Sequence, residues 1–208
     1  MGRLLRRPDP VGRGADVRLE SLEVAGPQLV HPDVFPDERG HFMRMLDVAE
    51  LAEQGITMEI AHMSGASNRR RGTLRGLHLQ VPPHEEAKFV RCVRGRVQDV
   101  VVDVRKGSTT CGRWCAVELS ADEPIALFVP EGFAHGYITL ADDTDLEYLI
   151  SVPYAPKASA GLRWDDPGLS IEWAAAPVVM SSRDAAFPDI DVGRLATEGP
   201  GALLTPPS

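Results

Sequence analysis

Seven consecutive residues, Leu74-Arg75-Gly76-Leu77-His78-Leu79-Gln80, set an arginine, a glycine and a histidine among spaced leucines. With period two they read as a strand. Leu74, Gly76, His78 and Gln80 then share one face, and Arg75, Leu77 and Leu79 the other. The glycine between Arg75 and His78 leaves room for another group to approach the backbone. Three more acid–base side chains stand downstream. Lys88 opens the next strand. His135 follows the turn Pro130-Glu131-Gly132-Phe133-Ala134, which would deliver it to a barrel mouth. Tyr148 lies within Leu146-Glu147-Tyr148-Leu149. Histidine, lysine and tyrosine are the usual carriers of proton transfer, but each alone is equally at home as a packed strand residue. A metal site on such strands would use histidines at i and i+2, a carboxylate and a distant histidine on one face. Here Gln80, a poor ligand, holds the i+2 position. His84, Glu85 and His135 could complete a set, but His84 follows Pro82-Pro83 in a loop. We expect no catalytic metal and no other cofactor.

The elements that must position these groups are mostly strands. Lys88–Val93 and Val97–Val104 flank Arg94-Gly95-Arg96, a hairpin signal. Segments Cys115–Leu119, Ile125–Val129, Gly136–Leu140 and Leu146–Val152 follow, separated by turn residues. Many short strands at regular spacing predict an all-β fold, a jelly-roll sandwich or barrel with one or a few short helices. The clearest helix follows Asp47-Val48-Ala49-Glu50, which reads as a capping box, and it ends at Gly55. Residues 1–16 read as a flexible arm, 17–192 as a single domain, and 193–208 as a loose tail. Trp164-Asp165-Asp166-Pro167 and Ile171-Glu172-Trp173 are the expected anchors of the irregular stretch after Tyr154.

Composition narrows the partners. The net charge of -8 argues against a nucleic-acid polymer. Yet Arg69, Arg70, Arg71, Arg75, Lys88, Arg91, Arg94 and Arg96 face only Glu85 and Glu86 in that stretch. This local basic wall suits a phosphate or carboxylate, or else a solvated sheet edge. No apolar run reaches membrane-spanning length. The arginines among the first residues precede no apolar region of a signal peptide. An odd count of three cysteines points to free thiols in a reducing, cytoplasmic setting.

Several motifs in a fixed order carry a resemblance. Gly72–Gln80, Lys88–Arg94, Val97–Arg105, Val129–Gly136, Arg163–Pro167 and Ser182–Pro188 are similar to the dTDP-4-dehydrorhamnose 3,5-epimerase family, and Asp37-Glu38-Arg39-Gly40 resembles its N-terminal signature. The resemblance implies a cupin jelly roll that is metal-free and homodimeric. It also implies an enzyme that inverts C3 and C5 of a 4-keto-6-deoxyhexose carried on dTDP. By motif, His78 falls on the base, Asp184 on the carboxylate behind it, Tyr148 on the acid, and Lys88 on a residue near the developing enolate. Arg39, Arg75, Lys88, His135 and Arg183 fall on substrate contacts. The chemistry is coherent. An unperturbed imidazole titrates at about 6.5. An enolate oxygen needs a cation where its charge develops. Guanidinium groups suit a diphosphate.

The chain also departs from the family. Arg44 replaces a usual Glu, and Met63-Ser64-Gly65 replaces Gln-Asp-Asn. Ser159 replaces a Glu, Leu149 a Lys, and Pro153-Tyr154 a Tyr pair. Arg44 and Met63 are therefore expected at the substrate rim, and the carrier nucleotide or the sugar decoration could differ. The rival readings are a 3,4-ketoisomerase of a sugar nucleotide and a non-catalytic sugar-nucleotide-binding cupin.

Overall fold

The computed structural model describes residues 17–204. The expected N-terminal arm, residues 1–16, lies outside the described residues. In chain order the elements are β1 (Arg18–Ser21), β2 (Gln28–His31), β3 (Val34–Asp37), β4 (Gly40–Met43), α1 (Val48–Glu53), β5 (His62–Asn68), β6 (Leu74–Gln80) and β7 (Lys88–Arg94). There follow β8 (Arg96–Asp103), β9 (Trp114–Ser120), β10 (Ala126–Val129), β11 (Phe133–Thr139), β12 (Thr144–Ile150), β13 (Ser159–Gly161), α2 (Ser182–Ala185) and α3 (Val192–Glu198). Six strands form one antiparallel sheet in the order β1-β2-β10-β7-β12-β5, and five form a second in the order β13-β6-β11-β8-β9. This is the expected all-β jelly roll.

Strand sequences follow from which faces are covered. Val97 and Val101 point between the sheets, where they meet Val90, Leu127, Leu146 and Tyr137. Val100 and Val102 point to the opposite face of β8, packing on Leu77, Leu79, Leu162 and Leu195. A strand buried on both faces reads as a continuous apolar run, which is why Val100-Val101-Val102 lacks alternation. The outer face of the six-stranded sheet is covered by Leu51 of α1 and by Ile56 just after it, against Phe89 and Phe128. No helix among the described residues is long and apolar enough to cross a membrane.

Four expectations need correction. Arg94-Gly95-Arg96 does not close a hairpin: β7 belongs to the six-stranded sheet and β8 to the five-stranded one. Gly95 turns the corner between layers with φ +74°, where a Cβ would strike Thr144. The same local chemistry serves a hairpin or a sandwich corner, and only sheet partners distinguish them.

The capping box is half formed. Asp47 accepts from the Ala49 and Glu50 amides, but Glu50 turns away to accept from the Val17 amide. The segment 193–204 is not loose. Helix α3 buries Leu195 in the cluster under the five-stranded sheet. Finally, Arg75 does not face away from His78. Both line the same cavity, because the pairing of β6 with β11 slips between Tyr137↔Arg75 and His135↔His78. Such a bulge re-aims the side chains that follow it.

The cause of that slip is a contact between two glycines. A Cβ on Gly76 would lie 2.5 Å from the Gly136 Cα, and Gly76 has φ +131°. The group admitted by the missing side chain is thus the backbone of β11. The anchors after Tyr154 behave as expected. The Trp173 indole donates to the Trp164 carbonyl at 2.8 Å, and buried Asp166 accepts from the Gly168 and Ile190 amides. A Gly76→Ala variant should lose about 2–3 kcal/mol through backbone strain and steric clash. That corresponds to ~5–10 °C in a thermal melt for a chain of this size, and an unchanged melting temperature would show the contact to be dispensable.

Candidate active site

Between the two sheets opens a cavity of about 640 Å³. His78 enters it from β6 of the five-stranded sheet. Tyr148 enters from β12, and Lys88 from the first residue of β7, both in the six-stranded sheet. His135, Arg75, Arg183 and Asp184 also line it. Of the residues singled out from sequence, these seven come together. Three do not. Arg39 is 80% exposed at the tip of the β3–β4 hairpin, paired with Asp37. Arg44 sits before α1 and pairs with Asp47 at 3.1 Å. Met63 is exposed on β5, where alternation sends its neighbour Ser64 into the cavity instead.

His78 is held from behind. Its Nε2 lies 2.8 Å from Asp184 Oδ1, and the Gly76 amide donates to Asp184 Oδ2 at 3.3 Å. Asp184 is buried on α2, a four-residue turn capped by the Ser181 hydroxyl. Burial alone would raise the pKa of its carboxyl. The His78 hydrogen bond and charge, together with the Gly76 amide and the Ser181 side chain, outweigh burial and hold it below the usual carboxylate range. The ring of His78 keeps an open face to the cavity, with 38% of its side chain exposed. A carboxylate bound to one ring nitrogen fixes orientation and favours the imidazolium once it forms.

Lys88 is nearly enclosed. Its ammonium donates to the His78 carbonyl at 3.3 Å and pairs with Glu86 at 3.0 Å. A buried ammonium without such partners would carry a large desolvation cost. Tyr148 has its phenol pushed well above the ordinary range, first by burial and then by Tyr137 beside it. It is therefore a neutral proton donor at physiological pH.

The sequence reading missed residues that complete the site. Asp99 on β8 is fully buried, and its Oδ1 lies 2.8 Å from His135 Nε2, off the line of a straight hydrogen bond. The His135 ring in turn packs edge-on against Tyr148, with centroids 6.2 Å apart. Tyr137 and Asn68 were also missed. The aspartates inside Val97–Val104, Asp99 and Asp103, were the available signal, because a charge in a doubly covered strand requires a partner.

The basic wall divides. Arg91, Arg94 and Arg96 pair with Glu147, Asp143 and Glu118 on sheet surfaces. Arg69, Arg70 and Arg71 line a separate open depression. Only Arg75 and Lys88 of that group line the cavity. Among the described residues no three His, Cys, Asp or Glu side chains gather as a metal set.

Known proteins share this architecture. The family model for dTDP-4-dehydrorhamnose 3,5-epimerase matches residues 21–191. An enzyme of that name from Sinorhizobium fredii is 37% identical over 176 residues, covering 84% of this chain and 90% of its own. The crystal structure of dTDP-4-dehydrorhamnose 3,5-epimerase from Elizabethkingia anophelis aligns with a TM-score of 0.81 at 32% identity, over 84% of this chain and 96% of that one. A 3'-monoepimerase from Streptomyces bikiniensis, solved in complex with dTDP-quinovose, aligns at 0.75 with 35% identity, over 85% and 87%. A family model spanning most of the chain, and relatives this similar across nearly their whole lengths, carry one conclusion: the chain belongs to the dTDP-4-dehydrorhamnose 3,5-epimerase family of isomerases.

Proposed function

We propose that the protein epimerises a dTDP-linked 4-keto-6-deoxyhexose at C3, C5 or both, in deoxysugar biosynthesis. The observation that carries this reading is the entry of His78 and Tyr148 into one cavity from facing sheets. Binding alone would not call for a carboxylate-backed imidazole opposite a neutral phenol.

In this reading His78, oriented by Asp184, takes the proton from a carbon next to the C4 ketone. The C–H electron pair moves into an enolate, and negative charge gathers on the C4 oxygen. The Lys88 ammonium supplies the stabilising cation in a water-poor pocket. The Tyr148 hydroxyl then gives its proton to the same carbon from the other face. His78 returns its proton to solvent and Tyr148 regains one, so no net proton is consumed. Arg75, Arg183 and His135 contact the diphosphate and sugar. The Arg183 guanidinium is steadied by the Ser159 hydroxyl at 2.7 Å.

The relatives named above act on or bind dTDP sugars by their names, which supports the same carrier here. Most of the sequence departures lie off the cavity: Arg44 and Met63 do not line it, and Leu149 packs on the outer face of β12. Ser64, Tyr154 and Ser159 remain as cavity-facing changes. We therefore favour a dTDP substrate with a varied rim.

A homodimer fits the placement of Arg39. Among the described residues the β3–β4 hairpin pairs only with itself and exposes Val34 and Phe42, surfaces that a second copy would cover while receiving Arg39 near its own cavity. The three unpaired cysteines and a sugar-nucleotide substrate agree with a cytoplasmic setting.

Three outcomes test this reading. Incubation with dTDP-4-keto-6-deoxyglucose in heavy water should place deuterium at C3, C5 or both, read by NMR. His78→Ala should abolish exchange and lower turnover ~10²–10⁴-fold, whereas Tyr148→Phe should still wash out hydrogen without completing inversion. Full turnover by either variant would overturn the assigned roles, and an inert wild type would favour a binding module. In competition, dTDP should displace substrate far better than UDP or GDP; equal inhibition by all three would remove the nucleotide assignment. In analytical ultracentrifugation the chain should sediment at twice its mass, and a monomer at micromolar concentration would exclude the proposed dimer.

A further inference from the structure

Asn68 is a buried amide with no part in the chemistry above. It ends β5 at 2% exposure, and its side chain reaches across to the other sheet. Its Oδ1 accepts from Arg75 Nε on β6 at 2.9 Å and from the Tyr137 hydroxyl on β11 at 3.3 Å. Its Nδ2 donates to the Thr144 carbonyl at 3.0 Å. An amide oxygen has two lone pairs, so this acceptor is fully used. A flipped amide would turn its NH2 group against the Nε–H of Arg75 and lose the Thr144 bond, so the network fixes one orientation.

The consequence falls on Arg75. Its Nη2 also donates to the Ser67 carbonyl at 3.4 Å, so Asn68 and Ser67 hold the guanidinium along its Nε–Nη2 side. The end formed by Nη1 and Nη2 is left over, and Arg75 lines the cavity. Two parallel N–H groups at that end match two oxygens of a phosphate. The holding group is also neutral. Arg91, Arg94 and Arg96 each meet a carboxylate, whereas among the described residues Arg75 meets none. A carboxylate in place of the Asn68 amide would grip the guanidinium as firmly but cancel its charge. The amide supplies aim and leaves the charge to a ligand. An arginine ordered in advance also escapes the entropy cost of being ordered on binding.

We propose that Asn68 is a positioning residue for substrate binding, one that aims Arg75 at a phosphate of the sugar nucleotide without neutralising it. This rests on the reading of Arg75 as a diphosphate contact. It gives Asn68 a part in affinity and none in proton transfer. Tyr137 then serves as the third support of the amide, its hydroxyl keeping Oδ1 in place beside Arg75 Nε.

The test is a double-mutant cycle in the full-length enzyme, with the Kd of dTDP read by calorimetry beside turnover of dTDP-4-keto-6-deoxyglucose. Asn68→Ala should raise that Kd about ten-fold, the worth of one hydrogen bond to a charged group. KM should rise in step, while kcat stays within about two-fold. Arg75→Ala should weaken dTDP at least as much, and adding Asn68→Ala to it should cost less than about two-fold more. A purely structural role would weaken binding equally in both backgrounds and lower kcat as well. Equal losses in the two backgrounds, a fall in kcat with Kd unchanged, or wild-type affinity in Asn68→Ala would each overturn the proposal. Should the alanine chain not fold, Asn68→Ser repeats the cycle with the same expected and overturning results, since its hydroxyl can still donate to the Thr144 carbonyl but is too short to hold Arg75. If Arg75→Ala itself binds dTDP as the wild type does, the reading of Arg75 fails first. That outcome is distinct from an Arg75 variant that binds weakly beside an Asn68 variant that does not.

Discussion

The contact between Gly76 and Gly136 decides where the chemistry of this protein can lie. Neither position tolerates a side chain, since a Cβ on either would meet the other's backbone inside van der Waals distance. Their approach shifts the β6–β11 register by a residue. Without that shift, strict alternation would place Arg75 on the outer face with Leu77 and Leu79. With it, Arg75 joins His78 inside. The amide of Gly76 also donates to Asp184, so the residue that makes the bulge helps hold the carboxylate behind the histidine. Close packing, strand register and the orientation of His78 are one constraint expressed at three scales.

Three buried or half-buried acid–base contacts surround this point: His78 with Asp184, Lys88 with Glu86, and His135 with Asp99. Such pairs are weak contributors to stability, because desolvation offsets most of their attraction, and apolar replacements of equal volume often stabilise. The three gather around one cavity beside a largely apolar core, whereas a further buried pair, Asp103 with Arg105, lies away from it. Such a cluster fits a region where stability yields to chemistry.

Much of this was legible in the sequence, for reasons that can be traced. The strands after residue 88 appear because turn residues punctuate them. Helix α1 appears because Asp47 is a strong N-cap. His78, Lys88, His135 and Tyr148 were found by residue type and strand position, and Asp184 by motif, and the cavity collects all five. What was illegible depended on partners in space. Gly95 carries the same turn chemistry whether it closes a hairpin or crosses between sheets. The face of Arg75 depended on Gly136, sixty residues away. Met63 and Ser64 differ by one step of alternation, so a motif match aligned the segment without saying which of the two points inward. Asp99 hid among valines, and Tyr137 looked like one more core aromatic.

A two-layer fold suits a reaction that needs two faces. Packed sheets stand about 10 Å apart, which leaves room for a flat sugar ring with one side chain above it and one below. If the base and the acid shared a strand, they would approach the ring from one side, and proton return would restore the original configuration. In the proposed reaction, placing His78 on one sheet and Tyr148 on the other would separate the two steps by geometry. Each strand is fixed by its own ladder and by a covered outer face, so neither group can follow the other across the ring. On that proposal the stereochemical outcome would follow from sheet membership, while Ser64, Tyr154 and Ser159 line the cavity and can differ without disturbing either layer.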